Sequence, residues 1–131
     1  MAETTNIAAV IANNHSIPNA VNTDLTFVSV TGAKWATLNK GKVRLEAGKY
    51  DLLMTSVFAF NVVGSRAITP HITAHTVNTQ SISATDTTTR VQAAAKLTLT
   101  TATDLFLLAF QTSGAALSVS TNVQITKVGE I

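Results

Sequence analysis

The chain of 131 residues contains no cysteine. Disulfide staples, thiolate nucleophiles and cysteine-bound metals are excluded, while the cellular compartment is left open. Charge is also scarce. Only 12% of residues are charged, about half the usual share, although 46% are hydrophobic. The net charge of +2 comes with no basic run, so the electrostatic footprint of a nucleic-acid binder is missing. The longest uninterrupted apolar run, "LFLLAF" (105–110), is far short of the roughly 20 residues a membrane helix needs. The start, "MAETTNIAAVIANN", has no basic region ahead of its short apolar run, and so is not expected to act as a signal peptide. Asn14-His15-Ser16 matches a glycosylation sequon, but that modification needs a secretory route. Heptads, Gly-x-y arrays and internal repeats are absent as well.

Chemistry-bearing constellations are equally thin. Ser, His and acid residues occur without a nucleophile-elbow motif or a phosphate-cradling glycine loop. Asp24, Glu46, Asp51, Asp86 and Asp104 mostly flank turns, where carboxylates serve as caps and solvated groups rather than as a glycosidase pair. His71 and His75 have the i, i+4 spacing that would hold zinc on a helix. On one strand the same spacing sets them ~13 Å apart, too far to share an ion. No catalytic residue, cofactor or metal is expected, and the chain reads as non-enzymatic.

What is present is a succession of short strand patterns separated by turn residues. "LTFVSV" (25–30), "KWATL" (34–38), "VRLEA" (43–47), residues 50–60, "AITPHITAHTV" (67–77), "RVQAAAKLTLT" (90–100), "DLFLLAFQT" (104–112) and "LSVSTNVQITKV" (117–128) all read as extended. "NKGK" (39–42) reads as a tight connection, 61–66 as a loop, and Pro70 as the mark of an edge or bulge. The three alanines of 93–95 favour helix intrinsically, yet alternation and threonine-rich flanks favour a strand. One domain of all-β class, a jelly-roll β-sandwich over 14–131, is expected. Residues 1–13 form either an N-terminal arm or its first strand.

Two of these strands are apolar on both faces. In 50–60, Tyr50, Leu52, Met54, Ser56, Phe58 and Phe60 alternate with Asp51, Leu53, Thr55, Val57 and Ala59. In 104–112, Phe106, Leu108 and Phe110 alternate with Leu105, Leu107 and Ala109. A buried Leu or Phe contributes roughly 1.5–3 kcal/mol, so a second wet face on two neighbouring strands would leave a sticky patch. Either another subunit or a covering loop such as residues 1–24 must lie over it. The subunit reading makes Leu53, Val57, Leu105 and Leu107 an oligomer interface. Trp35, Lys40 and Lys42 are candidate contacts for a glycan or receptor, but each is better suited to an ordinary role: the indole half-buried against the sandwich, the lysines solvated.

The order of these features resembles the tumour-necrosis-factor-like jelly roll shared with complement globular heads. The similarity rests on "TDLTFVSV", on "VRLEAGKYDLLMTSVF" with its Gly48-x-Tyr50, on "KLTLTTATDLFLLAF" with Thr103-Asp104 where the family has Gly-Asp, and on "LSVSTNVQITKVG". The resemblance implies a homotrimer packed through the inner sheet about a three-fold axis, with Gly48 permitting a turn and Tyr50 opening the central inner strand. Similar domains occur on bacteriophage particles as capsid decorations, head fibres and fibre tips. The expected role is therefore a trimeric capsid decoration on a virion surface, made in the host cytoplasm and partnered with the major capsid protein. Thr5, Asn6, Ile7, Val10 and Ile11 would be a docking arm that adds a strand to a neighbour's sheet, or simply the domain's own first strand. The alternative is a receptor- or glycan-binding tip with loops 31–42, 61–66 and 83–89 facing outward. No nucleic acid and no membrane insertion are expected.

Overall fold

The computed structural model describes residues 7–59, 61, 63–72, 75–76, 80–83 and 89–130. Twelve strands, and no helix among the described residues, form two antiparallel sheets. The strands are β1 (Ile7–Ile17), β2 (Thr23–Leu25), β3 (Ser29–Thr31), β4 (Ala36–Asn39), β5 (Lys42–Leu45), β6 (Gly48–Phe58), β7 (Ser65–Ile72), β8 (His75–Thr76), β9 (Gln80–Ser83), β10 (Thr89–Leu99), β11 (Thr103–Gln111) and β12 (Leu117–Gly129). The first sheet has the order β10-β6-β12-β1-β3 and the second β4-β5-β11-β7-β8, with β2 also on β11 and β9 also on β7. Strands near the start thus pair with strands near the end, the nesting of a jelly roll. Residues 93–95 lie in β10, a strand rather than a helix.

The core is made by one register from each sheet. Tyr50, Leu52, Met54 and Phe58 of β6 face Leu105, Leu107 and Ala109 of β11 within a single buried cluster. Here two expectations are overturned. The two double-faced strands are not neighbours but lie in opposite sheets. Leu105 and Leu107 are 0% exposed, so they pack inside their own subunit and are unavailable to another. Asp104 was the available signal: a carboxylate shares the face of Phe106, Leu108 and Phe110, and a charge on a face marks it as outward.

Residues 25–30 are also not one strand. β2 pairs with β11 in the second sheet, whereas β3 pairs with β1 in the first. Between them Phe27 N donates to Gly41 O at 2.8 Å and Val28 N to Ile11 O at 2.9 Å, so the chain crosses between sheets without orphaning its amides. β5 and β2 share one edge of β11, opposite 103–105 and 107–109 respectively. The 39–42 connection is the expected tight hairpin. Lys40 and Gly41 take φ of 51° and 79°, the two positive values of a two-residue I′ turn. Pro70 sits in an inner strand, between the β7 stretch paired with β9 (65–68) and that paired with β8 (71–72). The 61–66 loop ends two residues early, since Ser65 and Arg66 already belong to β7.

β1 runs between β12 and β3 from Ile7 onward, with a register irregularity between Ala12 and His15. A division of the chain at residue 13 falls inside this strand. Val10 faces the core, and Ile7 and Ile11 are held in the ladder by Thr126 and Asn122. The three are therefore part of their own sheet, and none is left to extend a neighbour's. Thr5 and Asn6 lie outside the described residues.

The core is apolar toward one end of the strands and polar toward the other. Ser56 and Thr121, both buried, share a 2.7 Å hydrogen bond between β6 and β12. Removing one hydroxyl strands the other in a dry site, a cost of about 1–3 kcal/mol. Ser56→Ala and Thr121→Val are each expected to destabilise by that amount in urea unfolding, and the double variant by clearly less than their sum. Additive losses would show that the two hydroxyls are not coupled.

Candidate interaction surfaces

With the inward registers assigned, three surfaces remain: the outer face of each sheet and the loop ends. On the first sheet, pairing arranges the outward residues in rows. The rows run Lys96–Asp51–Thr126–Ile7, then Ala94–Leu53–Gln124–Ala9, then Gln92–Thr55–Asn122–Ile11, then Arg90–Val57–Ser120. Leu53 is 44% exposed, Ile7 and Ile11 are exposed, and Val57 is half-buried. The two middle rows contain no charged residue. Charges stand only at the rim, where Lys96 Nζ lies 3.6 Å from Asp51 Oδ1. Beside that pair is a shallow hollow of about 390 Å³ lined by Asp51, Leu52, Ala94, Ala95 and Lys96.

The second sheet shows Phe106, Leu108 and Phe110 outward, each half-buried. The Phe106 ring stacks on His71 at 5.2 Å between centroids, and Lys42 Nζ lies 4.6 Å from its centroid, within cation–π range. Arg44 Nη1 donates to Asp104 Oδ1 at 3.3 Å, and Asn39 Nδ2 donates to the same carboxylate. The basic hairpin is therefore partly committed: Lys42 to a ring and Arg44 to a carboxylate, while Lys40 is exposed. Trp35 is 3% exposed and packs on Tyr50 with centroids 5.2 Å apart. It is a core residue, and no ring face is offered to a sugar. His71 and His75 lie on paired strands, with Ile72 opposite His75, rather than along one strand. No group of three or more metal-ligating side chains occurs among the described residues. Among the described residues no helix is long and apolar enough to cross a membrane. Asp86 and Phe60 lie outside the described residues.

The strand directions separate the loops. Ser65 and Phe58 come to one end with their partners Ser83 and Thr89. Thr31 pairs with Ala9 toward the other end, and the 40–41 turn lies on the flank. The three loops expected to face outward together therefore do not share one surface.

The end carrying 61–66 is internally cross-linked. Gln111 Nε2 donates to Ile17 O (2.9 Å) and Ala115 O (2.6 Å), and its Oε1 accepts from Ser113 N (2.8 Å). Gly114 N donates to Asn19 Oδ1 at 2.8 Å. Gly64 adopts φ +80°, and a Cβ there would fall 1.9 Å from Thr112 O, so only glycine permits this approach. Arg66 is 0% exposed; its Nη1 donates to Val63 O and Ser65 O and its Nη2 to Asn61 O, at 2.9, 3.0 and 2.8 Å. Sequence reasoning missed this buried arginine because the run around it looks like loop. Burial pushes its pKa below the ordinary arginine value.

At the opposite end, Ile7 pairs with Thr126 and Lys49 with Gly129. Here the Gly-x-Tyr motif shows its reason. Tyr50 Oη reaches back over the turn to donate to Glu46 O at 2.7 Å, passing 3.3 Å from the point where a Gly48 Cβ would sit. β6 is an interior strand, with β12 holding the centre of the sheet.

These features define the class: the sandwich is the tumour-necrosis-factor-like jelly roll. It is similar to Eiger TNF from S. frugiperda, at 16% identity and a TM-score of 0.68 over 98% of this chain and 96% of that one. It is similar to the globular domain of zebrafish complement 1qA protein, at 13% identity and 0.70 over 95% and 98%. It is also similar to the PRD1 vertex protein P5, at 15% identity and 0.66 over 97% and 99%. No family model and no curated protein matches the chain.

Burial raises the Tyr50 pKa, opposed by the charge of Lys127 and reinforced by Glu46 and Glu130. The hydrogen bond to Glu130 raises that of Lys127, with burial opposing. Both groups hold their proton more tightly folded than unfolded. Their contribution is therefore complete below the unfolded pKa and lost as pH climbs through the folded one. Stability should be level from pH 7 to about 9 and fall above about pH 10. In Tyr50→Phe, about 1 kcal/mol weaker at neutral pH, that alkaline fall should be shallower.

Proposed function

We propose that the protein is a non-enzymatic structural component of a virus particle surface, assembled as a homotrimer through the outer face of its first sheet. The observation that carries this reading is the composition of that face: Ile7, Ile11, Leu53 and Val57 stand among uncharged Gln92, Thr55, Asn122 and Gln124, with charge only at the rim. Depletion of charge toward the centre is a property of protein interfaces. A cyclic trimer would place this face against a different surface of the next copy. The fold likeness to the PRD1 vertex protein P5, over nearly the full length of both chains, supports a place on a phage virion.

The finer role we assign is capsid decoration: a trimer seated on the shell, contacting the major capsid protein. Binding the assembled shell in preference to its free subunits would stabilise it by linkage. The docking surface in this reading cannot be a β1 arm, which is already part of the sandwich, and falls instead to the loop ends or the second sheet. A vertex-mounted tip that meets a receptor or glycan is the second reading, favoured by the location in the name of P5. Lys40 remains exposed for such a contact. Imaging a labelled subunit on the particle separates them: copies spread over the head support decoration, and copies confined to the vertices or tail end support the tip.

The interface has a direct test. Leu53→Asp and Val57→Asp should leave a folded subunit near 13.7 kDa by light scattering, where the parent gives a trimer. Each variant subunit should keep its own stability to within roughly 1 kcal/mol. Leu107→Asp should instead prevent folding, at more than about 4 kcal/mol, because its carboxylate would enter the core. A parent that is monomeric at micromolar concentration would remove the trimer, and so would a Leu53→Asp variant that stays trimeric.

A further inference from the structure

The buried arginine is unusual in what it lacks. A guanidinium carries five N–H donors and one positive charge. Three donors of Arg66 are taken by the carbonyls of Asn61, Val63 and Ser65. Its Nε is buried and has no hydrogen-bond partner, and one further proton remains by count. Among the described residues no carboxylate pairs with it: Asp104 is engaged by Arg44, Asp51 by Lys96 and Glu130 by Lys127. Its ladder partner Gln111 has turned its amide to Ile17, Ala115 and Ser113. Carbonyl dipoles soften the charge without cancelling it. An unpaired buried cation is costly, and a buried donor with no acceptor adds to that cost. A water molecule would satisfy the donor but not the charge. A small anion would satisfy both, through a short charge-assisted hydrogen bond.

We propose that Arg66 holds a monoatomic anion, chloride under ordinary conditions, at its Nε edge where β7 begins. The ion completes the polar end of the core and fixes the three loops that Gln111 and Arg66 tie together. Because only the folded chain assembles the site, the ion stabilises by mass action.

The test uses the whole protein and halide salts. Crystals grown in bromide should show an anomalous peak within hydrogen-bond distance of Arg66 Nε. In urea unfolding at fixed ionic strength, with gluconate replacing chloride, each tenfold rise in chloride well above half-saturation should multiply the folding equilibrium constant by about ten. Arg66→Met should abolish that dependence. If this variant does not fold, the bromide map and the chloride series on the parent still decide. A water at Nε with no bromide peak, or a folding constant indifferent to chloride over gluconate, overturns the proposal.

Discussion

The structure depends on the meeting of two strands across the sandwich. β6 and β11 each turn a largely apolar register inward, interrupted at Ser56 and closed by Gln111, and their apolar residues lie in one core cluster. Each fully buried Leu or Phe contributes roughly 1.5–3 kcal/mol, so this contact fixes which side of each strand is inside. Because side chains alternate, choosing the inside also chooses the outside. Everything the protein offers to the world, including Leu53 and Val57 on one sheet and Phe106, Leu108 and Phe110 on the other, follows from that choice.

This is also where the sequence could and could not be read. Alternation located the strands, and the Gly48-x-Tyr50 motif pointed to the correct fold, because both are local patterns with local causes. The assignment of faces succeeded for β6, whose odd register carries Lys49 and Asp51 beside Leu53. It failed for β11, where Leu105, Leu107 and Ala109 are no greasier than Phe106, Leu108 and Phe110, and where Gln111 puts a polar group on the buried side. Gln111 can sit there only because carbonyls from residues 17 and 115 arrive to meet it, and such long-range partners leave no trace in a window of sequence. The same holds for the crossing at 26–28: a run of alternating residues does not show that its halves hydrogen-bond to different sheets.

The candidate surface was legible in part. An uncharged patch of aliphatic and amide side chains was implied by a chain with so few charges, and half of the residues first assigned to it do lie there. Trp35, considered as a sugar-stacking ring or a half-buried one, goes further inward and closes the core over Tyr50. Single aromatic residues in small sandwiches are pulled inward by their area, and a pattern that ignores area misplaces them.

The two poles of the sandwich are built on different physics. One is fastened by neutral hydrogen bonds around Gln111 and by the sequestered charge of Arg66; the other has the buried Tyr50, bonded to Glu46 O, and the Lys127–Glu130 ion pair. Since Ile7 pairs with Thr126 and Gly129 with Lys49, both ends of the described chain leave from this second, ionic pole. The amide-fastened pole lies the eleven residues of β6 away from them, so a change of charge around Lys127 and Glu130 leaves the hydrogen bonds of Gln111 and Arg66 untouched.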